Sequence, residues 1–398
     1  MRSKQQTPTL DELLAIAHSI GERAASQAEQ AEKDCKLADE IVEDINKARL
    51  IQVLQPKRFG GLEMGFPAMV RISQALAQHD MAASWIYSLF AIHHWWGSLV
   101  KPEMQDEMWK EDPHKLFSDA FAPAGKAVPV ADGYILNGKW AFVSGVPWAD
   151  FIALGAMVQT ETEPEYFMMF LPRGDYEVLD DWDTVGMRAS ASCSVQVQDT
   201  FIPEYRAVSM GSIINDNVAP GHVYNNGPLY RMPFGPGLSV SLVGCHVGGA
   251  QAMLRMYKER MRKRVPLFTI ERQDEMVPSQ MILAESSVKL EACEQLMYRY
   301  ADEMMEVGTA ISNNEQVDTL EVRTRTFAWR SYLGRETRSV ADTLFQNTGA
   351  FAIYAGTPIQ RFWRDFYAIA QHVVFNYEVG TRNYGRFLLG LEPLPAIY

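Results

Sequence analysis

The 398-residue sequence predicts a mainly α-helical protein with a β domain inserted between two helical regions. Apolar residues recur at helical spacing from about residue 8 to residue 115, and again from about residue 240 onward. Between these regions, short strand-like runs alternate with turns. We therefore expect an N-terminal helical domain over residues 1–115, a middle β-barrel or sandwich over 116–225, and a C-terminal four-helix bundle over 226–398.

Charge and composition narrow the class of protein. A net charge of −12 argues against a nucleic-acid binder, which usually shows a concentrated basic face. Residues Met1–Gln6 lead into an amphipathic stretch rather than an apolar signal peptide, and no run approaches the roughly 18 apolar residues of a membrane span. The four cysteines have no metal-ligand spacing and do not suggest a disulfide framework. We expect a cytoplasmic protein that binds neither metal, membrane nor nucleic acid.

In the N-terminal region, a helix expected over residues 82–99 carries a mixed aromatic and polar face. Trp85, Leu89, His93 and Trp96 lie on that face at helical spacing. Plain core packing accounts for such a face in many proteins. Buried imidazoles need hydrogen-bond partners, however, so two adjacent histidines followed by two tryptophans would be an unusual core, and the wall of a polar, aromatic pocket explains them better.

The β region and the C-terminal region have their own local signals. The Asn137-Gly138 pair between apolar runs predicts the turn of a hairpin. Four long helices are predicted after the β region, over residues 239–263, 275–307, 316–348 and 358–389.

The last predicted helix places His372 on a stripe with Ala368, Phe375 and Asn376. No Gly or Pro interrupts it before Gly380. A histidine on such a stripe is usually a satisfied core residue, so position alone does not make His372 catalytic.

The element order and several motifs together resemble the acyl-CoA dehydrogenase fold superfamily, and the resemblance covers nearly the whole chain. Four segments carry it in the expected order, namely 134–145, 186–192, 201–204 and 361–365. Each motif alone is weak. The combination predicts an acyl-CoA dehydrogenase-like fold.

Within that superfamily, the residue in the base position separates dehydrogenases from monooxygenases. A dehydrogenase uses a carboxylate that lies a short way past the Arg364-Asp365 pair. Glu378 begins several residues too late for that role, and the expected position falls close to His372. We therefore expect Glu378 to be a solvated or salt-bridged helix residue.

A histidine in that position resembles the oxygenase components of two-component flavin-dependent aromatic hydroxylases, of the p-hydroxyphenylacetate 3-hydroxylase type. Shared stretches also include residues 55–64, 105–113, 258–265 and 385–393. The resemblance implies a reduced flavin, FMNH2 or FADH2, that reacts with O2 to give a C4a-hydroperoxide, which then hydroxylates an aromatic ring. It also implies a separate NAD(P)H-dependent flavin reductase, since no Gly-rich dinucleotide fingerprint follows a predicted strand.

The resemblance assigns roles residue by residue. His372 becomes the base for a phenolic proton, and Ser144 the hydrogen-bond partner of flavin N5, while Trp85 and His93 lie near flavin and substrate. A turn residue at a strand end is the simpler interpretation of Ser144. The remaining assignments are Arg188, Ser190 and Ser192 at the flavin's phosphate-bearing chain, Gln346 and Gly349 at a neighbouring subunit's flavin in a homotetramer, and Trp96, Asp119 and Arg231 in the substrate pocket. Ordinary loop capping also accounts for the serines.

Departures from the hydroxyphenylacetate pattern bear on the substrate. Asp119 stands where that family has a serine, and Trp95, Trp96 and Trp148 add aromatic bulk. We hypothesise a larger, flatter pocket that suits an indole or a fused-ring phenol. The rival interpretations are an acyl-CoA dehydrogenase, a monooxygenase of the same fold acting on sulfur or nitrogen, and a flavin-free helical scaffold.

Overall fold

The computed structural model describes residues 7–159 and 163–394. Helices come first, a sheet follows, and helices return, as the sequence predicts. Residues Met1–Gln6, on which the expectation of no signal peptide partly rests, lie outside the described residues.

From residue 7 onward, five α-helices precede the sheet. They are α1 (Leu10–Lys33), α2 (Asp39–Lys47), α3 (Phe66–Ala77), α4 (Met81–Gly97) and α5 (Pro102–Trp109). Helix α4 begins at Asp80, whose carboxylate accepts a hydrogen bond from the Ala83 amide at 2.9 Å. The same carboxylate forms a buried ion pair with Arg361, far along the chain, so the start of α4 is tied to the C-terminal helical region.

In the described residues, seven strands form one sheet in the order β5-β6-β2-β1-β3-β4-β7. They are β1 (Phe117–Val130), β2 (Gly133–Trp140), β3 (Phe151–Val158), β4 (Glu165–Pro172), β5 (Glu177–Val178), β6 (Val195–Pro203) and β7 (Ala207–Ser209). Among these seven strands, β1 and β3 pair in parallel and the other neighbours pair antiparallel.

The two faces of this sheet contribute to different cores. Along β3, Phe151 and Ala153 pack with the helices, whereas Ile152 and Leu154 belong to a second core on the other face. This alternation follows from the two-residue period of a strand. The sheet is therefore held against α4 on one side while its other side packs on its own hydrophobic cluster.

The hairpin prediction at Asn137-Gly138 is wrong in position. The chain turns earlier, between Val130 and Gly133, and both predicted turn residues lie inside β2. Gly138 is needed there for space, because an added Cβ would lie 2.5 Å from the ring of Trp140. Glycine often marks a turn because its backbone is less restricted. At position 138 it instead leaves room for the Trp140 indole to lie against the strand.

Six α-helices follow the sheet in the part of the chain that ends at residue 394. They are α6 (Phe234–Ser239), α7 (Val243–Met261), α8 (Val277–Ser312), α9 (Thr319–Thr348), α10 (Pro358–Ile369) and α11 (Tyr377–Leu388). In the described residues, one stretch, Phe234–Met261, is long and apolar enough to cross a membrane, but 83% of its most apolar window is buried inside the protein. This stretch is therefore buried among other helices, as the core helix of a bundle is.

The single helix predicted over residues 358–389 is wrong, because the chain breaks between α10 and α11. His372 lies in this break, at the start of a short 3-10 turn formed by Val373–Phe375. The Asn376 side chain accepts a hydrogen bond from the Val379 amide at 3.0 Å and begins α11. Such side-chain caps compete with helix continuation and need neither Gly nor Pro. The stripe predicted for His372 therefore does not exist.

Candidate active site

Helix α4 carries the residues around which the site is built. Trp85, His93 and Trp96 are buried on it, and Leu89 is half-buried, as their common face predicts. The helix lies between the N-terminal core and β1, so this face meets the sheet rather than solvent.

A chain of hydrogen bonds runs from α4 into the β domain. The Trp85 indole N–H donates to Ser144 Oγ at 3.2 Å, and Ser144 Oγ lies 2.7 Å from Ser192 Oγ. Ser192 Oγ in turn lies 2.8 Å from Ser190 Oγ. Ser144 is in the turn that follows β2, and the other two serines precede β6. Three of the predicted hydroxyls are thus brought together beside one predicted indole.

The loop over residues 186–192, which we call the serine loop, is held in place by α10. The Met187 amide donates to Asp365 Oδ1 at 2.6 Å. A Cβ added to Gly186 would lie 2.2 Å from the carbonyl oxygen of Arg364, so only glycine allows this approach. Burial raises the pKa of the Asp365 carboxyl to about 7, against the effects of nearby Arg361 and of the Met187 amide, which lower it. The Arg-Asp pair seen in the sequence therefore positions a loop.

His372 reaches the same place from the break after α10. Its ring meets the Trp85 ring edge to face, with centroids 5.6 Å apart. The Val374 amide donates to His372 Nδ1 over a long 3.4 Å. Burial lowers the pKa of the imidazole to about 4; the Asp119 carboxylate acts to raise it and the Arg330 guanidinium to lower it. His372 is therefore neutral at neutral pH.

A second network joins α4 to β1. Trp96 Nε1 donates to Asp119 Oδ2 at 2.9 Å, and His93 Nε2 lies 3.1 Å from the same oxygen. His93 Nδ1 lies 2.5 Å from the Phe117 carbonyl, which can only accept, so Nδ1 carries a proton. Within residues 7–159 and 163–394, the contacts of Trp96 and His93 with Asp119 both use Oδ2, which leaves Oδ1 of the partly buried carboxyl to accept a further hydrogen bond.

We call Trp85, His93, Asp119, Ser144, Ser192 and His372 the central cluster. Asp119, Ser144 and His372 are only partly buried. The cluster offers hydroxyl groups, a neutral imidazole and a carboxylate along one aromatic wall. These groups can donate and accept hydrogen bonds, and the imidazole can accept a proton.

The expected aromatic enlargement of the pocket is only partly supported. Trp95 is buried and its indole N–H donates to the Leu229 carbonyl at 2.7 Å. Trp148 lies away from the cluster, where it donates to Asp39 and has Lys36 over its ring. Of the three tryptophans, Trp96 alone touches the cluster.

Four other predicted residues do not join the cluster in this chain. The Arg188 guanidinium bonds the Glu32 carbonyl and Asp183, which fastens the serine loop to α1. Arg231 lies 3.2 Å from the His222 ring nitrogen, in the loop before α6. Gln346 and Gly349 lie at the end of α9, where Gln346 is exposed.

Sequence reasoning missed Arg330, a fully buried residue of α9 that bonds the Val374 carbonyl at 2.8 Å. An arginine in a helix usually lies at the surface, so nothing in the sequence indicates that Arg330 is buried. Glu378 behaves as expected, because its side chain is 84% exposed and lies 3.6 Å from Arg382.

Comparison with known proteins gives a consistent set of relatives. The family described as acyl-CoA dehydrogenase, C-terminal domain, matches residues 240–377. The chain is 32% identical to the flavin-dependent monooxygenase oxygenase subunit HsaA of Mycobacterium tuberculosis (strain H37Rv), over 99% of each chain. It is 27% identical to the oxygenase component of p-hydroxyphenylacetate 3-hydroxylase of Acinetobacter baumannii, over 98% of this chain and 93% of that one.

Solved structures agree with the sequence comparison. The crystal structure of the HsaA monooxygenase from M. tuberculosis superimposes with a TM-score of 0.90 and 26% identity, over 98% of this chain and 100% of that one. XiaF from Streptomyces sp., solved with FADH2 and glycerol, gives a TM-score of 0.89 at 25% identity, over 98% of each chain.

Proposed function

Because the chain belongs to the family of oxygenase components of flavin-dependent monooxygenases, we propose that its central cluster transfers one oxygen atom from O2 to an aromatic substrate. The chain is a flavin-dependent monooxygenase with an acyl-CoA dehydrogenase-like fold, as its sequence motifs predict. As an oxygenase component, it works with a separate partner component. The site, the substrate and the nature of the partner are our proposals.

The residues present fit a flavin. The hydroxyls of Ser144, Ser190 and Ser192 both donate and accept, as the nitrogen and oxygen atoms along a flavin edge require. Ser144 is partly exposed, so its Oγ can change partner when a ligand arrives. We propose that Ser144 meets flavin N5 and that the Trp85 ring borders the flavin. Reduced flavin, FMNH2 or FADH2, would supply the reducing equivalents that activate O2, and one oxygen atom leaves as water.

His372 supplies the proton chemistry in this proposal. At neutral pH its ring is uncharged because burial lowers its pKa to about 4. The Val374 amide reaches Nδ1 only over 3.4 Å, so this hydrogen bond is weak and the ring can give it up by carrying its proton on Nδ1; in that tautomer Nε2 accepts the proton of a phenol. Loss of that proton makes the aromatic ring electron-rich and open to attack on an electrophilic oxygen atom.

Asp119 narrows the substrate class. Its oxygens accept hydrogen bonds and donate none while the carboxyl is ionised. A substrate with an O–H or N–H group, such as a phenol or an indole, satisfies Asp119 Oδ1, whereas a plain hydrocarbon ring does not. We propose a phenol or indole type of substrate on this ground.

A flavin reductase that uses NAD(P)H is the proposed partner, and a homotetramer is the proposed assembly. Exposed apolar side chains support self-association, since Leu267, Phe268 and Ile270 are 80%, 97% and 102% exposed on one loop. Gln346 and Gly349 would then approach a neighbouring subunit's flavin.

The single observation that carries the proposal is the position of Trp85, which touches Ser144 through its N–H and His372 through its ring. The test mixes the protein, loaded anaerobically with reduced flavin, with oxygenated buffer in a stopped-flow instrument. A near-ultraviolet absorbance transient before flavin reoxidation, and a product carrying one ¹⁸O atom from ¹⁸O2, are expected with phenols or indole. The proposal would be contradicted if the flavin reoxidised at once and every phenol or indole tested remained unchanged.

A further inference from the structure

Arg330 is a buried cation that the proposed chemistry does not use. Its side chain is 1% exposed on α9. Among residues 7–159 and 163–394, no carboxylate lies within ion-pair distance of it, and its Nη1 has no hydrogen-bond partner. Burial lowers the pKa of the guanidinium, an effect that the nearby Tyr300 opposes. An unpaired buried charge is costly, so the position calls for a reason.

Arg330 reaches the break between α10 and α11 through one hydrogen bond, and its other neighbours, Phe327 on its own helix and Tyr300 on α8, lie outside the break. Its Nε donates to the Val374 carbonyl at 2.8 Å, and its guanidinium carbon lies 3.9 Å from the centre of the Phe327 ring. The Val374 amide, on the same residue, donates to His372 Nδ1. One peptide residue therefore connects the buried cation to the imidazole.

Helix α9 supports the same break at two further points. Ser331 Oγ lies 3.2 Å from the Asn376 carbonyl. Gly334 faces Phe375 so closely that an added Cβ would lie 2.9 Å from its ring. Among these three residues of α9, Arg330 is the only charged one, and it bonds Val374, two residues after His372.

We propose that Arg330 is a positioning residue, which holds the His372 ring against Trp85 through the backbone of Val374. The inference rests on the proposed function, in which His372 accepts a proton. The charged or titratable groups that face His372 are Asp119 on β1, His246 on α7 and Arg330 on α9. Of these, Arg330 opposes the imidazolium with a permanent positive charge, whereas Asp119 favours it.

The first measurement needs no flavin. Histidine labelled with ¹³C at Cε1 is incorporated into the protein, and the His372 signal is assigned by its absence from His372→Asn. Arg330→Met keeps the approximate volume and removes the charge and the donor. We expect the His372 titration of Arg330→Met to move to higher pH than in the unsubstituted protein, and its signal to broaden as the ring loses its fixed position.

The second measurement is the amount of product formed per flavin oxidised. A displaced base is expected to lower this yield about 10- to 100-fold in Arg330→Met, with the remaining oxygen recovered as H2O2. Arg330→Lys keeps the charge but not the planar donor, so its His372 titration should stay near that of the unsubstituted protein while its yield is intermediate. Arg323→Met is the matched control, because Arg323 is on the same helix and also bonds a backbone carbonyl, that of Ile214, away from the break.

Each outcome decides the inference. If folded Arg330→Met titrates at His372 like the unsubstituted protein and keeps its product yield within twofold, Arg330 is not a positioning residue. If circular dichroism shows that Arg330→Met does not fold, Arg330→Gln makes the same comparison, and an unchanged titration overturns the inference. An unsubstituted protein that forms no product defeats the proposed function instead, and the titration still decides the role of Arg330.

Discussion

The replacement His372→Asn tests the proposed proton acceptor most directly. Asn Oδ1 can occupy roughly the position of His372 Nδ1, so the hydrogen bond from the Val374 amide, and with it the short turn over Val373–Phe375, is retained. The substitution removes Nε2, the nitrogen that we propose faces the ligand, and with it the titratable imidazole. The fold and the flavin affinity should therefore change little.

The structure sets the size of the expected effect. With a pKa of about 4, only about one His372 ring in a thousand is protonated at pH 7, so the full base is present in the native protein. A positioned general base contributes roughly 10²- to 10⁴-fold to a rate, which corresponds to about 3 to 5 kcal/mol of activation free energy. We expect product formation from a phenol to fall by that factor in His372→Asn, while flavin oxidation continues and yields H2O2.

The assay is a single turnover of bound reduced flavin with O2 and a phenol, in which product, H2O2 and oxidised flavin are all quantified. The dependence on pH gives a second check. A free phenol with a pKa of about 10 ionises by itself in alkaline buffer, so the deficit of the His372→Asn variant should shrink as the pH approaches 10. The native protein should keep its yield down to about pH 5 and lose it nearer pH 4, because burial lowers the His372 pKa below its ordinary value and the neutral ring persists to that point. A variant within threefold of the native rate at pH 7, or a deficit that does not depend on pH, would refute the role of His372 as base.

Three further predictions follow from the same structure. Asp119→Asn removes the charge that raises the His372 pKa, so that pKa should fall further in a histidine NMR titration, and the apparent affinity for a phenol should drop several-fold in steady-state kinetics. Glu378→Gln should leave the product yield within twofold of native, because this exposed residue is far from any buried base position; a large loss would revive the dehydrogenase interpretation. Burial lowers the pKa of His94 to about 4 and that of His246 to about 3, so at these two sites the folded protein binds fewer protons than the unfolded chain between these values and about 6.5. The contribution of His94 to stability should therefore fall as the pH drops through that window, by roughly 3 kcal/mol, and between pH 7 and pH 4.5 urea unfolding should show a smaller loss of stability in His94→Phe than in the native protein.

Much of the fold could be predicted because its signals are local. Helix α4 follows directly from the spacing of Trp85, Leu89, His93 and Trp96, and the change from helical to strand-like texture near Phe117 coincides with the start of β1. Both signals depend on side chains a few residues apart. The same local rules failed where a polar side chain caps the backbone, at His372 and Asn376, because such a cap leaves no Gly or Pro in the sequence.

The site could be predicted only in part, for a different physical reason. The resemblance supplied Ser144, Ser192, Trp85 and His372, and the structure brings these four together from three distant parts of the chain. Contacts between segments so far apart have no signature in a single sequence. Arg330 was missed for this reason, since nothing near it in the chain indicates that it lies fully buried under the His372 segment.

Helix α10 explains how two distant parts of the proposed site keep a fixed separation. On the helix, Asp365 binds the Met187 amide at the base of the serine loop, and the chain reaches His372 three residues after the helix ends. A helix of 12 residues is a stiff spacer, so the hydroxyls proposed for the flavin and the base proposed for the substrate are set by one element. In the sequence motif of the dehydrogenases, the base is a carboxylate that lies beyond the same Arg-Asp pair. In this chain α10 ends earlier, and the break after it presents the uncharged imidazole of His372, which can take a phenolic proton. Glu378, the glutamate that most resembles the dehydrogenase base in the sequence, lies on the surface.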